Sequence, residues 1–170
     1  MVISAKFSNF IPCKTTFNEL IMAKLHISND WWTAPAEAEN GNLILVTGRR
    51  NLQNVRDTEK YIYRIEMTWT YEPDEKGMPE FSVSSQMEKV QDAIEECFSK
   101  DPTAVNTGIY TGDGQRNWVF YARSLNIFQK KLNEALAEFP QLPLSFHAEE
   151  DPEWEEYDEM CETEIQDEEL

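Results

Sequence analysis

Residues 61–148 predict an α+β fold built on a ferredoxin-like, split βαβ core. Three observations carry that reading: a long period-two strand at 61–71, two amphipathic helical stripes, and a hairpin turn at Gly112-Asp113-Gly114 between them. In chain order they give strand, helix, strand, strand, helix, strand, the βαββαβ plan. Both helices are then expected on one face of an antiparallel sheet. Residues 43–49 are expected to join by a hairpin as an extra edge strand.

Residues 1–30 read as an N-terminal extension. Phe17, Leu20, Ile21, Lys24 and Leu25 fall at roughly helical spacing, so a short helix is expected from Thr15 to Leu25. Met22-Ala23-Lys24-Leu25 has the look of a bacterial start, which makes Met22 an alternative initiator to Met1. The stretch from Trp31 to Gly41 reads as an irregular lead-in, with one of its two adjacent tryptophans anchored in the core. From Asn42 to Arg49, Leu43, Leu45 and Thr47 point one way and Ile44 and Val46 the other, as suits a covered strand. The loop that follows holds Arg49, Arg50, Arg56 and Lys60. Next, Tyr61, Tyr63, Ile65, Met67, Trp69 and Tyr71 alternate with Ile62, Arg64, Glu66, Thr68 and Thr70. That run spans roughly 36 Å at ~3.3 Å per residue, one side bulky and buried, the other mostly polar and wet.

After a turn-rich loop, Ser85 and Glu88 have capping-box spacing. Met87, Val90, Ile94, Cys97 and Phe98 form the apolar stripe of the first helix, which Asp101-Pro102 ends. Past the hairpin, Ser124 caps a second helix with Leu125, Phe128, Leu132, Ala135, Leu136 and Phe139 on one stripe, stopped by Pro140. Leu142, Leu144, Phe146 and Ala148 alternate as a last strand. Asp151 and Pro152 open a short helix to Met160 in which Trp154 and Tyr157 share a face. That helix and the N-terminal segment are the candidates to close the second face of the sheet. The expected organisation is thus an extension at 1–30, a single α+β domain at 31–160, and an acidic, disordered tail at 161–170.

The net charge of −17 is local: of 32 acidic residues, 13 lie between Glu149 and Leu170, where there is no Lys or Arg. The other 148 residues carry 19 acids against 15 bases. The acidic end is a solvated appendix, a lure for a basic partner, or a shield over a basic patch of the body. It repels phosphate backbones, so nucleic-acid binding is disfavoured. Hydrophobic content of 41% supports one globular core. Cys13, Cys97 and Cys161 are far apart and accompany only two histidines, which argues against a disulfide scaffold or a Cys/His zinc site. No apolar run approaches the ~20 residues a bilayer span needs, and polar residues from Lys6 to Glu19 interrupt any signal-peptide core. A reduced, cytoplasmic protein without a membrane partner is expected.

Polar and aromatic residues crowd the hairpin. A phosphate-cradling loop would need a following helix, whereas a second strand follows here. Asp113, at the turn tip, is expected to bond local backbone. His147 reads as a partly exposed structural histidine. The acidic residues from Asp151 to Glu159 lack the spacing of a calcium loop, and no Ser or Cys has a nucleophile elbow or a base partner. No catalytic, cofactor-binding or metal-binding residue is therefore assigned, and no cofactor is expected. The candidate binding surface is Tyr110, Arg116, Asn117, Tyr121 and Arg123, with Arg49 and Arg50. Tyr61, Tyr63, Trp69, Trp118, Phe120 and Tyr121 read as packing residues, because the RNA-binding run of basic, glycine and aromatic residues is absent. Arg49, Arg50, Arg56, Lys60, Arg64, Arg116 and Arg123 would make one basic patch, able to receive an acidic partner or the protein's own tail.

Trp31-Trp32-Thr33-Ala34-Pro35-Ala36-Glu37, Val46-Thr47-Gly48-Arg49-Arg50, Gly77-Met78-Pro79, the hairpin from Thr107 to Tyr121 and Asp151-Pro152-Glu153-Trp154-Glu155-Glu156-Tyr157 together resemble the bacterial domain-of-unknown-function family 695. The resemblance covers roughly Leu25 to Met160. It implies no established activity, cofactor or catalytic residue. Some members of that family are fused to a domain similar to the protein regulator of ribonuclease E, an acidic ferredoxin-like inhibitor, which implies a regulatory setting by analogy.

The expectation is a non-catalytic, cytoplasmic module that binds a protein partner of unknown identity. The alternative is a small ligand-binding domain or enzyme that uses the polar hairpin at 106–123, and it requires those side chains to converge in a concave pocket. The sequence carries no signature of a particular oligomeric state.

Overall fold

The computed structural model describes residues 25–168. Leu25 apart, the helix expected at Thr15–Leu25 and the alternative start at Met22 lie outside them. Six strands occur among the described residues: β1 (Trp31–Glu37), β2 (Leu43–Arg49), β3 (Tyr63–Thr70), β4 (Ala104–Gly112), β5 (Gln115–Ala122) and β6 (Leu144–Glu150). They form one antiparallel sheet in the order β1-β2-β4-β5-β3-β6. The helices are α1 (Gln53–Arg56), α2 (Phe81–Lys100), α3 (Leu125–Ala135) and α4 (Glu155–Glu168). None of them is long and apolar enough to cross a membrane. Read from β6, the four core strands stand fourth, first, third, second, the arrangement expected of the split βαβ plan.

Period-two alternation explains the α2/α3 side. Ile65, Met67 and Trp69 of β3 lie opposite Phe120, Trp118 and Arg116 of β5. The apolar members meet Met87, Val90, Ile94 and Phe98 of α2 and Phe128 and Leu132 of α3 in one buried cluster. Phe98 stacks on Phe128 at 5.7 Å, and Phe120 packs obliquely on Phe128 at 5.0 Å. Ser124 caps α3 by accepting a bond from the Ile127 N–H at 3.3 Å, as its position predicts.

Helix α2 begins earlier than capping-box logic expects. Its first turn is closed by the Ser84 N–H on the Glu80 carbonyl at 2.9 Å, and no side chain caps it. Ser85 and Glu88 therefore sit inside the helix. Phe81, at its start, is 87% exposed.

The other side of the sheet differs from expectation at both ends of the domain. The lead-in at 31–41 is not irregular: it contains β1, closed onto β2 by the Ala38 N–H on Asn42 and the Gly41 N–H on Ala38. β1 lacks a β-branched run, so pairing carries it, and Pro35 is tolerated because the strand is outermost. β2 extends the core beyond β4 as expected, but β1 takes the edge. Trp32 is the anchored tryptophan, seated so close to Gly48 that a Cβ there would come within 2.4 Å of its ring.

The last helix continues to Glu168, so residues 161–168, expected as a disordered tail, are helical. Met160 is buried against Gly108, where a Cβ would lie 2.2 Å from its sulfur. Arg50 holds Glu164, with Nε at 2.7 Å, and Arg56 grips Asp158 through two bonds of 2.7 and 2.8 Å. The acidic end is thus in part a shield over the body's own arginines. Tyr61 precedes β3 and joins Trp154, Tyr121, Leu52 and Val55 under this helix.

Candidate functional site

The turn joining β4 and β5 uses Asp113 and Gly114, both at positive φ (52° and 83°), the pairing a two-residue hairpin of right-handed twist requires. Asp113 does not bond local backbone as expected. Its carboxylate accepts from Asn42 Nδ2 at 2.7 Å and from Asn40 Nδ2 at 3.1 Å, which holds it below its ordinary pKa. The turn is therefore clasped by the β1–β2 turn. The loop after β3 holds it as well, through the Gly114 N–H on the Gly77 carbonyl.

Alternation along the strands divides the seven candidate residues between two faces. Arg116 and Arg49 lie on the α2 side. Arg116 donates from Nε to Thr111 Oγ1 at 2.9 Å, and burial pulls its pKa down. Arg49 pairs with Glu95 of α2 at 2.6 Å. Tyr110, Asn117, Tyr121 and Arg50 lie on the α4 side. Arg123 follows the end of β5, where its N–H donates to the Thr103 carbonyl. The single basic patch expected from seven cations is thus split, since strand alternation sends neighbouring arginines to opposite faces.

Two of the seven candidate binding residues converge. Tyr110 and Asn117 line a groove of about 540 Å³ with Glu66 and Thr68 of β3 and Glu156 of α4. Thr68 donates to Asn117 Oδ1 at 2.6 Å, fixing the amide nitrogen of Asn117 as a donor. The Tyr110 hydroxyl donates to Glu156 Oε1 at 2.6 Å. The second oxygen of Glu156 is buried without a partner. Burial pushes the Glu156 carboxyl above its ordinary pKa, and Glu66 and Asp151 add to that, against the Tyr110 bond and Arg64. Burial and Glu156 together raise the Tyr110 hydroxyl.

Beyond Glu156 the groove continues as a trough of about 300 Å³ lined by Arg64, Glu149, Asp151, Glu155 and Glu159. Arg64 bridges Glu66, at 3.0 Å, and Glu149. Tyr121 stacks on Trp154 at 4.3 Å and donates to Asp151 at 2.6 Å. Burial pushes Asp151 up, but the Tyr121 hydroxyl and the N–H groups of Glu155 and Glu156 outweigh it and hold the carboxyl low. The Asp151 carboxylate thus closes the start of α4 by accepting from its first two N–H groups. The helix opens at Glu155 and not at Asp151-Pro152, because residues 152–153 form a turn and Trp154 takes a positive φ of 58°. Tyr121 supports that cap from beneath the helix. His147 is mostly exposed, 3.6 Å from Glu149.

Sequence reasoning missed Glu66, Thr68 and Glu156. The first two were visible as the polar half of the 61–71 alternation. Glu156 precedes Met160 by four residues, and that spacing puts it on the inward face of α4. Among the described residues, no group of three His, Cys, Asp or Glu side chains is arranged to hold a metal ion.

The profile of the family of unknown function DUF695 matches residues 29–160, most of the chain and every element from β1 to the first half of α4. The chain belongs to DUF695. The matched span includes the groove, the clasped hairpin and the Asp151 cap, so the groove lies within the DUF695 domain itself. Neither a curated protein nor a solved structure matches this DUF695 member.

Proposed function

We propose that this DUF695 chain is a non-catalytic module that binds another protein, with the contact centred on the groove between α4 and strands β3 and β5. The observation that carries it is the convergence of Glu66, Thr68, Tyr110, Asn117 and Glu156 on one side of the sheet that α4 leaves uncovered. The groove and its trough are rich in carboxylates and contain one arginine, Arg64, already engaged by two of them. Charge complementarity therefore favours a partner that presents lysine or arginine side chains. The buried, unpartnered oxygen of Glu156 supports the reading, because a stability cost retained at one place often marks a functional site.

The test is affinity capture from the source organism's lysate with the tagged full chain and an Asn117→Arg variant. A specific partner lost by at least about tenfold in the variant supports the proposal. Equal recovery of every enriched protein by both chains contradicts it.

A second reading has one observation in its favour. A carboxyl raised by burial beside a tyrosine hydroxyl is the kind of pair that serves general acid–base chemistry. It requires a small ligand in the same groove. A fragment screen by NMR with no hits at Glu66, Asn117 or Glu156 would count against it.

A further inference from the structure

The two edges of the sheet are built differently. A strand edge offers unpaired N–H and C=O groups to any chain that can lie alongside it, and proteins usually blunt it. β1 is blunted. The Arg50 N–H bonds the Asp30 carbonyl at 2.8 Å and the Ala38 N–H bonds that of Asn42, so the even-numbered residues of β1 carry its ladder to β2. Trp31, Thr33, Pro35 and Glu37 therefore turn their main chain outward. Pro35 has no N–H to offer, and the Trp31 carbonyl already accepts from Arg50 Nη1 at 3.3 Å.

β6 carries no such block. The Asp151 N–H bonds the Ile62 carbonyl at 2.8 Å, one step past the Tyr63–Glu150 pair. Alternation then puts the ladder bonds to β3 on Glu149, His147 and Ser145, and turns the N–H groups of Phe146, Ala148 and Glu150 outward. β6 is outermost, and those three N–H groups have no backbone partner among the described residues. The strand is seven residues long, contains no proline and runs in unbroken register with β3.

The side chains decide what fits along it. Ser145, His147 and Glu149 lie opposite Thr68, Glu66 and Arg64, and so share the face of the groove. At the Glu150 end lies the trough, where six carboxylates surround a single arginine. On the other face Phe146 is 39% exposed, between Leu144 and Ala148, which pack against the core. An added strand would meet carboxylates on one of its faces and an aromatic ring on the other, and cross-strand neighbours of opposite charge or shared apolar character are favourable. A second copy of β6 has no Lys or Arg to bring to the trough. We propose that β6 pairs edge to edge with an extended segment of the protein partner in which basic residues alternate with apolar ones, the basic side on the groove face. This deepens the reading of the groove as a protein contact and rests on it. Main-chain bonds supply the affinity of such an added strand, and alternate side chains its selectivity.

The test is an NMR titration of the full chain with about ten peptides of roughly nine residues, in which lysine or arginine alternates with valine or isoleucine. At least one is expected to bind with Kd near or below about 1 mM and, at saturation, to slow amide exchange at Phe146, Ala148 and Glu150 by at least about tenfold. N-methylation of alternate peptide residues, or glutamate in place of the basic residues, is expected to weaken binding by at least about tenfold. Ala148→Pro copies the block at Pro35 without removing a ladder bond, and is expected to weaken binding to the same extent. No saturable binding by any peptide, equal binding of the N-methylated or glutamate forms, or an unaffected Ala148→Pro chain would each overturn the proposal. So would β6 protection that grows with protein concentration in the absence of peptide, since a second copy would then hold the edge. Shifts at Glu66 and Asn117 without protection of β6 would overturn strand pairing and leave the groove reading standing. Protection of β6 that Asn117→Arg leaves unchanged would support strand pairing and remove the groove as the centre of the contact.

Discussion

The two sides of the sheet are held by different chemistry. The α2/α3 side is an apolar interlock in which Phe98, Phe120 and Phe128 form a ring cluster. The α4 side joins tyrosines and arginines to carboxylates: Tyr110 with Glu156, Tyr121 with Asp151, Arg50 with Glu164 and Arg56 with Asp158. Apolar packing is insensitive to pH and strengthened by most salts, whereas charged contacts respond to both. The first side acts as scaffold. The second is adjustable, and the polar groove opens beside it.

Substitutions on each side sharpen that contrast. The largest loss is expected from Phe120→Ala, about 3–5 kcal/mol by chemical denaturation, with the same value at about pH 5 and pH 8. A loss that changes strongly with pH would break the division. Next is Gly108→Ala, which drives a methyl group into Met160 and is expected to cost about 1–3 kcal/mol. Met160→Ala makes room for that methyl, so the double variant is expected to lose at least about 1 kcal/mol less than the two single losses added together. Additive losses would mean that α4 does not rest on Gly108. The smallest effect is expected from Glu164→Gln: a slight fall in melting temperature at low salt that disappears near 1 M NaCl, where the screening length is about 3 Å.

The contrast also explains what was legible in the sequence. Met87, Val90, Ile94 and Phe98 announced the buried stripe of α2, and the alternation from Tyr63 to Trp69 announced its partner strand, because burial of apolar area repeats with the period of the element. Strand order followed from short connections. The α4 side gave weaker signals. β1 forms because β2 offers it a partner, which no local propensity records. The acidic run after Met160 reads as solvated by composition, yet Arg50 and Met160 hold it helical over the sheet. Arg49 and Arg50 are neighbours in sequence and end on opposite faces. The candidate list therefore mixed groove residues, Tyr110 and Asn117, with Arg49, which pairs with Glu95 on the opposite face. Glu66 and Glu156 became visible only when α4 was placed against the sheet.

The central claim is that the α4 side keeps a buried carboxylate at a cost to stability. Burial raises the folded pKa of Glu156 above its unfolded value near 4.3, so this group favours folding at low pH and that contribution fades as pH rises through the folded value. Asp151, held low in the folded chain, acts oppositely: its contribution is present above about pH 4 and is lost below it. Between about pH 5 and pH 8 the Glu156 effect should therefore dominate. The direct measurement is the melting temperature of the full chain and of Glu156→Gln across that range. The wild-type chain is expected to lose stability as pH rises, and the variant to stay nearly level and exceed it by about 1 kcal/mol at neutral pH. Parallel curves, or a variant less stable than wild type at neutral pH, would contradict the claim.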